Sequence, residues 1–351
     1  MQIDFHHAVT YVLARIAGFP REEANVVAYA SQYVDDAVDG GTISFLNGAM
    51  YERISSAHKM LDYRNFEALA DHLVWVPFHF LPGNGGAPAG EDPPGPFVKK
   101  LVCRPDSPPA RDLVRMVIEQ RSRKHALHRL GITMHTYADT WAHQGFCGFA
   151  HEVNHATDIR SADGEPDQKL ADKLRNYFVN AALPLGHGTV LSNPDKPYHV
   201  WSYVNGLGER VQRDNPRDFL DAADHMTRAM QRFRAGDADA AAPGIPAADR
   251  VLIEQFLVGI RNADEKERHA VWLAQIALGV FSFGAERVTY AGEGPGSWKA
   301  EALAEAKESA DGMPYRPEFL RSNWKLFHDA LQAHRFDVIH NILPEYGICV
   351  A

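Results

Sequence analysis

A chain of 351 residues with 45% hydrophobic content can bury a substantial core, and it carries no apolar run long enough to predict a membrane-spanning helix. Its formal net charge is −9 and no long basic run appears, which argues against capture of nucleic acid by a broad positive surface. Three widely spaced cysteines, Cys103, Cys147 and Cys349, argue against a disulfide scaffold or a thiolate metal site and fit a reducing cytoplasm.

The opening Met-Gln-Ile-Asp-Phe-His-His lacks the basic and apolar regions of a signal peptide, so a cytoplasmic location is expected. Residues 4–18 read as an amphipathic helix closed by Gly18 and Pro20. Residues 21–36 read as a second, with Glu22 and Glu23 where the helix dipole favours anions. The segment 74–82, Val-Trp-Val-Pro-Phe-His-Phe-Leu-Pro, is the best extended piece. The Gly- and Pro-rich stretch 83–97 follows as irregular structure, either a lid or a surface excursion. Residues 111–145 give the longest helical pattern, with a tolerated Gly131 inside it. Helical patterns return at 168–182, 216–235, 248–261, 264–281 and 316–341. Convincing alternation is scarce. The sequence therefore predicts an all-α fold, one compact multi-helix domain with a core at 1–205 and a helical extension over 206–351.

Within the long helical pattern, His135, Asp139 and His143 recur every four positions, so they share one helix face. Two imidazoles flanking a carboxylate suit a borderline-soft divalent metal such as zinc, and a carboxylate in the middle can bridge two ions. One helix face cannot close a coordination sphere. Further donors are offered by His6 and His7, by Asp35 and Asp36 at a helix end that the dipole disfavours for anions, by His79, and by His187 with Asp195. Tyr198, Trp201 and Tyr203 either line a pocket or are ordinary aromatics. Phe319, Leu320, Trp324, Phe327 and Leu331 are open to core or subunit contact.

The order of these residues resembles the zinc-dependent phospholipase C and single-strand-specific nuclease superfamily, in an uncharacterised bacterial branch with the phrase Ser-Gln-Tyr-Val-Asp-Asp. The phrase Met134-His135-Thr136-Tyr137-Ala138-Asp139 is similar to that superfamily's Leu-His-Tyr-hydrophobic-Gly-Asp, and Phe-His-Phe around His79 is similar to its Ser-His-Phe or Leu-His-Phe. The resemblance implies an all-α enzyme with a zinc cluster that hydrolyses phosphoesters. It implies one metal on Asp35 or Asp36, His79, His135 and Asp139, and a second on the Met1 amine and carbonyl, His6 and Asp139. A third would sit on His143 with a later pair. That pair is His187 and Asp195, with His151 and His155 as the alternative.

The expected function is thus a metal-dependent phosphoesterase with two or three zinc ions, acting on a small, phosphorylated, intracellular substrate. Asp35 or Asp36 would orient or deprotonate the attacking water. Iron or manganese in the same ligands would instead make an oxidative enzyme, and closed sites would make a metal-stabilised helical protein without catalysis.

Overall fold

The computed structural model describes residues 1–57, 68–162, 186–304 and 312–350. Helices dominate, yet the all-α expectation is overturned by two small antiparallel sheets. One pairs β1 (Gly41–Ser44) with β2 (Met50–Arg53). The other orders β3 (Ala156–Ser161), β4 (Val200–Asn205) and β5 (Arg210–Asp214) as β3-β4-β5. The molecule is mixed α and β. Its strands are short, and the central β4 is buried on consecutive positions, so no period-2 signal marks it.

The chain starts with a π-helical turn, Asp4–Val9, that runs into α1 (Thr10–Ile16) and stops at Gly18, whose φ of 92° favours glycine. Helix α2 (Arg21–Asp36) begins after Pro20 and carries Glu22 and Glu23 in its first turn, as predicted. Of the segment 74–82 read as extended, residues 79–82 lie beyond the helix and Pro82 forms a β-bridge with Cys103, while 74–78 are instead the end of α3 (Ala68–Phe78). Its unbroken Leu-Val-Trp-Val run has no periodicity to tell helix from strand, and Pro77 sits in the last turn, where the helix is ending anyway. A short α4 (Val98–Leu101) follows the irregular 83–97 stretch.

The predicted 111–145 helix is two helices, α5 (Pro108–Glu119) and α6 (Ala126–Ala142). Between them the exposed Arg121, Ser122, Arg123 and Lys124 turn the chain. That turn lets α5 stay amphipathic while α6 enters the interior, where all of its residues but Leu127 are buried. The later helices are α7 (Asn215–Ala235), α8 (Ala247–Gly259), α9 (Glu265–Leu278), α10 (Trp298–Leu303) and α11 (Asn323–Phe336), the last extended by a π-helical turn Asp337–Ile342. The helix predicted at 168–182 lies outside the described residues.

One large apolar core joins both ends of the chain. It contains Met1, Phe5 and Val12 together with Phe219, Trp272 and Ile339, so residues 206–351 pack into the same interior as the N-terminal helices. Phe319, Trp324, Phe327 and Leu331 are core residues, whereas Leu320 is exposed. Trp201 and Tyr203 are buried beside Phe146, so they belong to a small core under the three-stranded sheet. Among the described residues, no helix is long and apolar enough to cross a membrane.

Candidate metal centre

Helix α6 supplies the middle of the site. Gly131 lets it cross α2 closely, since a Cβ there would lie 2.4 Å from the Val27 carbonyl oxygen and 2.6 Å from the Ala30 Cβ. This approach puts the Ser31 carbonyl within reach of His135, whose Nδ1 donates to it at 2.8 Å. The helix does not continue to 145 as predicted. It ends at Ala142, with His143 as its cap residue and Gly145 turning the chain. Its last carbonyls, Trp141 O and Ala142 O, each accept a 3.0 Å hydrogen bond from the fully buried Arg213 of β5.

Four histidines are held in the same way. His135 Nδ1 donates to Ser31 O (2.8 Å), His79 Nε2 to Ser56 O (2.8 Å), His143 Nδ1 to His79 O (2.7 Å) and His187 Nδ1 to Leu191 O (2.8 Å). A carbonyl oxygen can only accept, so in each neutral imidazole the other nitrogen carries a lone pair. Those lone pairs point inward. His79 Nδ1 and His135 Nε2 are 3.1 Å apart, and Asp139 Oδ2 lies 3.4 and 3.3 Å from them. Asp35 Oδ1 completes the group at 3.9 Å from His79 and 3.8 Å from His135. His79 Nδ1, His135 Nε2 and Asp139 Oδ2 converge as electron-rich atoms with no donor among them, and Asp35 Oδ1 faces them. Ligands at about 2.0–2.1 Å from a tetrahedral zinc are themselves about 3.3–3.4 Å apart, so the observed spacing suits that ion.

The remaining residues form two adjoining groups. The Met1 amine lies 2.5 Å from Asp139 Oδ1 and 3.4 Å from Asp195 Oδ1, and His6 Nε2 lies 3.2 Å from Asp139 Oδ1. His6 is fully buried, with neither ring nitrogen in a hydrogen bond among the described residues. Asp139 therefore turns one oxygen to each of two groups. In the third, His143 Nε2 is 3.6 Å from Asp195 Oδ1 and His187 Nε2 is 3.8 Å from Asp195 Oδ2.

Of the ten residues predicted from the sequence, nine meet here: Met1, His6, Asp35, His79, His135, Asp139, His143, His187 and Asp195. Asp36 does not. Its Oδ2 accepts from Tyr290 Oη (2.5 Å) and Gln32 Nε2 (3.3 Å), and it anchors the 290 region to α2. His151 caps a short 3₁₀ turn by accepting from Val153 N, and His155 is exposed, so neither joins the cluster. His7 pairs with His269 instead.

Several supporting residues carry no signal in the sequence. The carbonyls of Ser31, Ser56 and Leu191 act through the backbone, and backbone is invisible to motif reading. Leu191 is held at φ 51°, ψ −131°, a conformation unusual outside glycine, as it offers its carbonyl to His187. Asn215 Nδ2 donates to the carbonyls of Asn193 (2.7 Å) and Lys196 (2.8 Å), fixing the turn that presents Asp195.

A family model described as a family of unknown function (DUF6765) matches residues 1–342. The chain belongs to that family. No curated protein and no solved structure matches it.

The buried histidines of this DUF6765 member suit metal ligation, whereas the Met1 amine and Asp35 are both shifted toward holding a proton that a bound ion would displace. Burial holds His6 well below the ordinary histidine value and brings His135 and His187 down to about 4, so all three stay neutral and able to ligate at pH 7. Burial opposes charge on Asp139, but His143 and the charged Met1 amine, the two largest opposing influences, hold the carboxylate well below its usual range. Burial likewise opposes the charged Met1 amine, and the carboxylates of Asp139 and Asp195 more than offset this, raising it to about 10. Asp35 is pushed well above the usual carboxylate range by burial and by the charge of Asp139. The side chains of Asp35 (33% exposed) and His187 (22% exposed) are the only ones in the cluster that reach solvent appreciably, and they mark its mouth.

Proposed function

We propose that this protein is a metal-dependent hydrolase of phosphoester bonds that holds two or three zinc ions. The reading is carried by the inward lone pairs of His79 and His135, set 3.1 Å apart beside the ionised Asp139 with no proton donor between the three. Asp35, His79, His135 and Asp139 would hold one ion. The Met1 amine, His6 and the other oxygen of Asp139 would hold a second, and His143, His187 and Asp195 a third. The donor set is nitrogen and oxygen only, which suits zinc but leaves iron or manganese as the alternative occupant. The resemblance in ligand order to zinc-dependent phospholipase C supports the phosphoester assignment.

Bound zinc would polarise a phosphoryl oxygen and lower the pKa of a coordinated water from 15.7 to about 7. The chain's own contribution is to place groups around that chemistry. Asp35, at the mouth, is the residue positioned to orient the attacking water and take its proton. The carbonyls of Ser31, Ser56, His79 and Leu191 fix the imidazoles in the tautomers that leave the inward nitrogens free. The phosphorylated substrate is a small molecule in this reading, with nucleic acid disfavoured by the net charge of −9.

The test is hydrolysis of a chromogenic phosphodiester and a chromogenic phosphomonoester by the purified protein. Turnover that is lost on chelation and restored by zinc supports the reading. A zinc-loaded protein inert towards both esters overturns it, and an iron-loaded form that consumes oxygen would replace it with an oxidative one.

A further inference from the structure

The N-terminal ends of most chains fray unless something ties them down. Here residues 1–9 are held at the centre of the molecule, with the Met1 amine 2.5 Å from a buried carboxylate. The tie comes from a helix 264 positions further along the chain. Arg268, in the first turns of α9, is fully buried and uses its whole guanidinium. Nε donates to Asp4 Oδ2 (2.6 Å), and Nη2 donates to Asp4 Oδ1 (3.3 Å) and to Gln2 Oε1 (2.6 Å). Nη1 donates to the carbonyls of Asn262 (2.9 Å) and Ala263 (3.2 Å). One residue on, His269 Nε2 lies 2.9 Å from His7 Nδ1. Every side-chain acceptor of Arg268 thus lies between Met1 and His6, the two residues this end of the chain brings to Asp139.

The link from those acceptors to the site is short and stiff. Gln2 O accepts from both Phe5 N and His6 N at 2.9 Å, and the π-helical turn Asp4–Val9 carries His6 directly on from Asp4. A bidentate Arg–carboxylate pair without solvent around it is among the firmest ties a protein can make.

We propose that Arg268 is a positioning residue that locks the Met1 amine and His6 against Asp139, so that α9 is part of the centre. Its consequence for metal loading rests on Met1 and His6 being ligands, as argued above. Its geometric part does not, and the test separates the two.

The test follows acetylation of the Met1 amine in metal-free protein by an amine-selective reagent, read by peptide mass spectrometry, with metal content of the untreated protein measured in parallel. In the wild type the Met1 amine is expected to react far more slowly than exposed lysines. In Arg268→Gln its labelling should quicken by about tenfold or more, as befits loss of charged hydrogen bonds. Metal content should fall by the ion at Met1 and His6, while the ion at His143, His187 and Asp195 is retained. Arg268→Lys should recover part of both. If Arg268→Gln fails to fold, Gln2→Ala removes one half-buried acceptor and should shift labelling less but in the same direction. An unchanged labelling rate in the folded variants overturns the proposal, as does a Met1 amine that labels freely in the wild type. Protection that Arg268→Gln abolishes, in a protein that holds no metal, keeps the lock and removes the metal reading.

Discussion

Asp139 faces four imidazoles and an amine, and the two oxygens of its carboxylate face different groups of candidate ligands. The stripe that includes it was legible in the sequence because helical spacing alone puts His135 and Asp139 on one face. The choice between Asp35 and Asp36 was not legible. Neighbouring positions on a helix point in different directions, and only the packing of α2 against α6 decides which carboxylate turns inward. Asp35 meets His79 and His135, while Asp36 meets Tyr290 and Gln32. The two should therefore separate cleanly on substitution. Asp35→Asn should lower kcat by roughly 10²–10⁴, the range for loss of a positioned proton acceptor. Asp36→Asn should keep metal and turnover and cost about 1 kcal/mol of stability, measured by denaturant titration. Equal losses of activity in both variants would contradict the assignment.

At the scale of elements, the α2–α6 crossing sets the spacing of the whole site. Sequence reading recognised Gly131 only as tolerated within a helix, whereas its role is tertiary: a methyl group there meets the Val27 carbonyl and the Ala30 Cβ. Gly131→Ala should raise local helix propensity yet destabilise the protein by about 1–3 kcal/mol through overpacking. It should also weaken metal retention, because separating the helices withdraws Ser31 O from His135. Thermal melting and metal content measured on the same sample check this, and a stabilised variant would contradict it. Helices with clear amphipathic stripes, such as α2 and α7, were legible to within a residue or so. The end of α3 was not, because an unbroken apolar run has no period. The three-stranded sheet escaped for a related reason, its central strand being buried on successive residues and its outer strands largely polar.

The whole molecule closes both chain ends into one core, and that interior includes histidines outside the candidate metal centre. His128 lies tilted against Trp298 and pairs with Asn323 Oδ1, and His328 packs edge-on to Trp324. Burial brings His128 down to about 4 and His328 to about 3. Each binds fewer protons folded than unfolded, so its contribution to stability is complete above the unfolded value near 6.5 and is lost as pH falls toward the folded value. For His128 that amounts to roughly 3 kcal/mol. In the presence of chelator, the thermal midpoint should fall across that interval, and the His128→Gln/His328→Gln double variant should flatten the fall. An unaltered slope would show that neither histidine is held neutral.

The account depends most on there being a metal centre at all. Plasma mass spectrometry of the protein beginning at Met1, purified without chelator, tests this directly. Two to three zinc per chain, falling steeply in Asp139→Ala, is the expected result. No metal above background in the wild type would contradict the central claim.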